Sequence, residues 1–145
     1  MSDLLWRKLK TIKVPEFSKT NQAPGAVWSI GLDSVTPKRL HRLSAKAGAK
    51  WKLKDRPDDC SADGYPRDIV RPTSSLIPDA PLGCLVGKIG GSTADNTGTL
   101  FAVGRYCVFQ IDETKTGPLF LGVNDVPEFM GEVDGQMDVE LEVAL

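Results

Sequence analysis

The sequence predicts an all-β sandwich, and three observations carry the prediction. Short runs of apolar, β-branched and aromatic residues recur about every ten residues with turn residues between them. No stretch of helical length repeats its apolar residues at helical spacing. The end of the chain alternates strictly, with Met137, Val139, Leu141 and Val143 on one face and Asp138, Glu140 and Glu142 on the other, as a half-buried strand requires.

A chain of 145 residues is expected to form one domain that buries roughly two thirds of its unfolded surface without staples. Its hydrophobic share of 41% and charged share of 26% are those of a soluble globular protein. No apolar run approaches the ~18 residues that span a bilayer, so membrane insertion is not expected. Met1 to Lys13 is basic, with only Leu4-Leu5-Trp6 as an apolar step. It lacks the apolar core of a secretion signal, and a cytoplasmic location is the default, with export by another route left open. Cys60, Cys84 and Cys107 are odd in number and widely spaced, which argues against a disulfide framework or a zinc site. Cys84 and Cys107 lie in apolar runs and read as small buried hydrophobes, whereas Cys60 lies among loop residues. Residues 1–56 carry a charge of +9 and residues 57–145 a charge of −10. In a sandwich the two halves of the chain interleave, so the asymmetry reads as internal pairing and nucleic acid is not an expected partner.

Taken in order, residues 1–24 read as an N-terminal extension or strand-like arm, and residues 25–145 as the sandwich domain. Trp6 and Phe17 favour an ordered arm, while Val14-Pro15 and Ala23-Pro24-Gly25 interrupt any long element. Strands are expected from Val27-Trp28 to Leu32 and from Pro37 to Leu43, the latter with Leu40 and Leu43 inward and Lys38, Arg39 and Arg42 outward. His41, the only histidine, has no neighbouring ligand in sequence and reads as structural or superficial. Trp51 stands among Lys50, Lys52 and Lys54. It is either a core residue with lysines outward or an exposed ring on which a sugar stacks its C–H face.

Residues 55–79 hold four prolines and six aspartates and form the longest stretch without periodicity. Long ordered loops commonly carry function, and Asp63, Tyr65, Arg67 and Asp68 are its candidate hydroxyl binders. Gly83 to Ile89 reads as a strand that ends in a Gly90-Gly91-Ser92 turn. Gly87-Lys88 is not a phosphate loop, because Ile89 stands where Ser or Thr is needed. Leu100 to Gln110 and Leu119 to Val123 complete the strands before the last one. Between Val123 and Met137, four carboxylates, Asp125, Glu128, Glu132 and Asp134, fall within ten residues. They form either a solvated acidic loop or an oxygen-rich site for a hard cation such as calcium.

Leu119-Phe-Leu-Gly-Val-Asn-Asp-Val-Pro127 resembles the segment that leads into the calcium loop of the PA-IL (LecA)-like bacterial galactose-binding lectins. Ala80-Pro-Leu-Gly-Cys-Leu-Val-Gly-Lys-Ile-Gly-Gly-Ser92 is similar to that family's small-residue strand and Gly-Ser turn. Weaker similarities lie at Trp28-Ser-Ile-Gly-Leu32, Leu43-Ser-Ala-Lys-Ala-Gly48 and Asp63-Gly64, so the resemblance spans residues 26 to 145. It implies a jelly-roll-like, galactose-binding-domain-like β-sandwich that binds a galactose-type glycan through calcium.

In the family, an aspartate, loop carbonyls and two adjacent asparagines hold the calcium. By resemblance the metal ligands here are Asp125, the carbonyls of Val126 and Phe129, Glu132, and Asp134 with a shift of the loop. Glu132 and Val133 occupy the asparagine positions, and Val133 offers no side-chain oxygen. A further carbonyl ligand falls on Trp51 or Lys52. The sugar-binding set implied is Trp51, Asp63, Tyr65, Asp125 and Glu132. The alternative function is a lectin-like fold that has lost calcium and sugar and serves as an interaction or assembly module. No nucleophile sits in a recognisable setting, so an enzyme is not expected. The family includes oligomeric lectins, and Met137 to Leu145 is the strand considered as an edge that pairs with a second copy.

Overall fold

A computed structural model describes residues 5–15, 28–53, 56–66, 75–92, 96–125 and 133–145. It is all-β. Among the described residues there are eight strands, β1 (Trp6–Val14), β2 (Ser29–Leu32), β3 (His41–Ala45), β4 (Leu85–Ile89), β5 (Thr99–Ala102), β6 (Tyr106–Phe109), β7 (Leu119–Val123) and β8 (Met137–Ala144), and a 3-10 turn at Glu113–Lys115. They form two four-stranded sheets, in the order β1-β8-β3-β6 and β2-β7-β4-β5, with every pairing antiparallel. Strands 1 and 8, 2 and 7, 3 and 6, and 4 and 5 are hydrogen-bonded partners. That pairing is the pattern of one long hairpin rolled over into two layers. Among the described residues, no helix is long and apolar enough to cross a membrane.

The alternation read at the end of the chain places the core. Met137, Val139, Leu141 and Val143 on β8 are all buried, and the first three share a core with Ile12, Val14 and Leu43 from their own sheet and Leu85, Ile89, Leu119 and Leu121 from the other. β4 and β7 are buried at every position, which explains why they read as unbroken apolar runs. Their inward residues join the main core. On the opposite face Val86 and Phe120 join Trp28, Ala80 and Cys84 in a second apolar layer, against which Leu76 and Ile77 pack. Gly87 points inward, where a Cβ would run into the Phe101 ring. Phe101 leans on Phe109 of the opposite sheet at 5.1 Å, and Phe109 stacks on His41 at 5.3 Å, so three rings bridge the layers beside the edges formed by β5 and β6.

Several expectations are corrected here. β8 is not an edge: it lies between β1 and β3. Residues 6–14, read as an extension or strand-like arm, form β1 and pair with β8 from Trp6↔Ala144 to Val14↔Met137 with a bulge between Lys8 and Lys10. On β3 the inward residues are His41 and Leu43, because Leu40 precedes the strand. Cys60 is buried and Cys107 half-buried. The sequence offered no sign that Lys88 would be fully buried, with its ammonium 4.8 Å from the centres of both the Trp28 and Phe120 rings and donating to the Ser92 carbonyl.

Candidate functional site

The pairing fixes which loops share an end of the sandwich. Leu85 opposes Val123, Val86 opposes Ala102, Ser44 opposes Tyr106, and Ala45 opposes Val139. The loop after β3, the segment before β4, the β5–β6 turn and the loop between β7 and β8 therefore all emerge at the same end. Trp51, Asp63, Tyr65, Asp125 and Asp134, which are far apart in sequence, lie on these loops.

Isolated bridges stitch the loops together. Trp51 and Cys60 exchange backbone hydrogen bonds of 3.0 and 2.8 Å, and Lys52 and Asp134 exchange bonds of 2.7 and 2.8 Å. Two glycines permit the close approach. Gly135 has φ +107°, and a Cβ there would meet the Lys50 carbonyl at 3.0 Å. Gly64 has φ +84°, and a Cβ would meet the Leu82 carbonyl at 2.7 Å, so neither position suits a larger residue.

Asn124 is the tie at the end of β7. Its side-chain oxygen accepts from the Ile77 N–H at 2.9 Å, and its amide nitrogen lies 3.0, 3.2 and 3.0 Å from the carbonyls of Ile77, Ala80 and Pro81. Its own backbone bonds to Gly83 and Cys84, and it is wholly buried. Nothing in the local sequence signals this role, since its partners lie more than forty residues away. The next residue, Asp125, is 6% exposed, and its carbonyl accepts from the Leu76 N–H.

The predicted site residues divide into three groups. Trp51 takes the core one of its two readings: it is 1% exposed, and its indole N–H donates to the Gly83 carbonyl at 2.8 Å. It presents no ring face for sugar stacking, because the strand-like bridge to Cys60 turns it under the loop. The carbonyls of Trp51 and Lys52, one of which was expected to hold calcium, accept from Cys60 and Asp134 respectively. Tyr65 is 4% exposed, with its hydroxyl donating to the Asp58 carbonyl at 2.7 Å and accepting from the Leu53 N–H at 3.1 Å. Burial raises its pKa above the usual phenol value.

Asp63 and Tyr65 do come together. With Gly64, Pro66, Pro81, Cys84 and the β5–β6 turn residues Ala102 to Gly104 they line a cleft of ≈ 510 Å³, within the range of small-molecule pockets. Asp63 at its rim accepts from the Arg105 N–H at 2.9 Å and from its guanidinium at 2.5 Å, a partner that nothing in the local sequence around Asp63 signals. Asp134 is exposed and forms the bridge with Lys52. Val126, Phe129 and Glu132, like Arg67 and Asp68, lie outside the described residues. Among the described residues, no three His, Cys, Asp or Glu side chains gather as a metal-binding group.

No protein-family model matches the chain, and a search of curated proteins finds no match.

Proposed function

We propose that this chain is a carbohydrate-binding, lectin-like protein directed at a galactose-type glycan, with calcium as its cofactor. The observation that carries the reading is convergence: the loops bearing Asp63, Tyr65, Asp125 and Asp134 leave the sandwich at one end, and Asn124 ties the start of Asp125's loop to a wall of the ≈ 510 Å³ cleft. Architecture supports it as well. Two antiparallel four-stranded sheets form the β-sandwich that the jelly-roll reading requires, and jelly rolls recur in lectin domains.

The ligands proposed for calcium are the carboxylates of Asp125, Glu132 and Asp134 with the carbonyls of Val126 and Phe129. Calcium takes six to eight oxygens in flexible geometry, and a carboxylate as sheltered as Asp125 fits that demand. The cation supplies a point at which two neighbouring sugar hydroxyls replace water. The chain's own residues then fix orientation: Asp63 is held by Arg105 at the cleft rim, and apolar Pro66, Pro81 and Val103 face the ligand's C–H surface. Turnover of glycosides is not expected.

A second reading, a lectin-like fold that has lost the cation and serves as an interaction module, is favoured by Val133, which brings no side-chain oxygen, and by the engaged carbonyls of Trp51 and Lys52. Retention on galactose-agarose separates the two. The proposal expects retention with calcium, release by chelator or free galactose, and passage of Asp125→Ala without retention. Passage of the wild-type chain in calcium overturns it.

A further inference from the structure

The free edges of the two sheets are not alike. β1 and β6 bound one sheet, β2 and β5 the other. β1 carries Arg7, Lys8, Lys10 and Lys13 and a bulge, the usual protection against edge-to-edge pairing. β2 is also irregular, with a register shift between Ile30 and Leu32. β6 has no such protection: Tyr106-Cys107-Val108-Phe109 holds no charge, glycine or proline. It also bears two of the five large apolar side chains that are exposed among the described residues, Tyr106 at 59% and Val108 at 41%, whereas β5 bears none.

The backbone of β6 points the same way. Ala45 donates to the Arg105 carbonyl at 2.9 Å and Lys38 to the Ile111 carbonyl at 2.8 Å. In an antiparallel ladder one residue's N–H and C=O face the same side and neighbours alternate, so residues 105, 107, 109 and 111 face β3. Tyr106 and Val108 thus aim both backbone groups at the open edge, and these groups have no backbone partner among the described residues.

We propose that β6 pairs with β6 of a second copy of this chain, antiparallel about a two-fold axis, joining two four-stranded sheets into one of eight strands. The two-fold falls on Cys107. Only a register that opposes even-numbered residues satisfies the edge groups, and this one sets Tyr106 against Val108 of the second copy twice over. The contact is self-complementary, as a two-fold interface must be, and no charged residue of the strand meets its like. Antiparallel pairing instead brings the Arg105 end of each copy to the Asp112–Glu113 end of the other. Self-pairing of β1 would oppose lysines to lysines. Because the paired strands run in opposite directions, the loop ends of the two copies face opposite ways. If those ends bind glycan, as proposed above, the dimer is bivalent.

Sedimentation equilibrium and oxidative cross-linking test this. The wild-type chain is expected at twice the mass of one chain. Val108→Lys, which puts a charge on an exposed side chain, and Val108→Pro, which removes an N–H not used by β3, are both expected at the single-chain mass with unchanged circular dichroism and melting. Oxidation by copper phenanthroline and air is expected to remove the two thiol hydrogens and link Cys107 to Cys107 of the second copy. The facing Cα atoms of a non-hydrogen-bonded pair lie about 4.5 Å apart, within disulfide reach, and Cys107→Ser should abolish the link. A wild-type monomer across the dilution series, a dimer that both Val108 variants leave intact, or a dimer in which Cys107 does not cross-link overturns the proposal.

Discussion

His41 shows how a single residue's surroundings set its chemistry. It is 1% exposed, stacked on Phe109 and hydrogen-bonded at Nδ1 to the Arg39 carbonyl. Burial lowers its pKa from the ordinary 6.5, outweighing the Arg39 carbonyl, which raises it; the Arg39 charge lowers it further. In the unfolded chain the ring takes its proton first as pH falls, so the stability due to neutral His41 is complete above about pH 6.5. It is lost as pH drops from there toward the folded value, by at most about 1.4 kcal/mol per pH unit. Urea unfolding between pH 8 and pH 5 is expected to show this decline in the wild type and a smaller one in His41→Leu, and equal slopes would contradict the assignment. Elsewhere burial quiets chemistry rather than tuning it. The Cys60 thiol is pushed up to about 11 and stays protonated near neutral pH, as befits a packing residue.

At the scale of elements, the strands were legible wherever one face is wet, as on β8. The fully buried β4 and β7 were equally legible as apolar runs. β1 is legible only as a strand-like arm without bounds, because lysines break the alternation of its first half and the bulge between Lys8 and Lys10 shifts its phase. The candidate site was legible as a set of polar loop residues, yet which of them face the ligand was not. Trp51 and Tyr65 are drawn inward by bonds to Gly83, Asp58 and Leu53, contacts made by folding between loops. Asn124 is the sharpest case, silent in the local sequence and a tie with four side-chain contacts in the fold. Replacing it with alanine takes this partner from the Ile77 N–H and the Ala80 carbonyl, while the carbonyls of Ile77 and Pro81 keep the N–H groups of Ala80 and Cys84. At roughly 1–3 kcal/mol for a group so exposed to desolvation without a partner, Asn124→Ala is expected to cost about 3 kcal/mol in chemical denaturation. A loss below about 1 kcal/mol would mean that the loop of residues 75–82 is held by other means.

For the whole molecule, the strand pairing gathers four connecting segments at one end of the double layer, while the opposite face of β4 and β7 is closed by a second apolar layer around Lys88. The central claim is that Asp125 and its loop hold a calcium ion to which a galactoside then binds. Isothermal titration of calcium into chelator-treated protein, followed by a galactoside, tests it most directly. The account predicts calcium heat that disappears in Asp125→Ala, and galactoside heat only after calcium. Galactoside heat without calcium, or no calcium heat in the wild type, would contradict it.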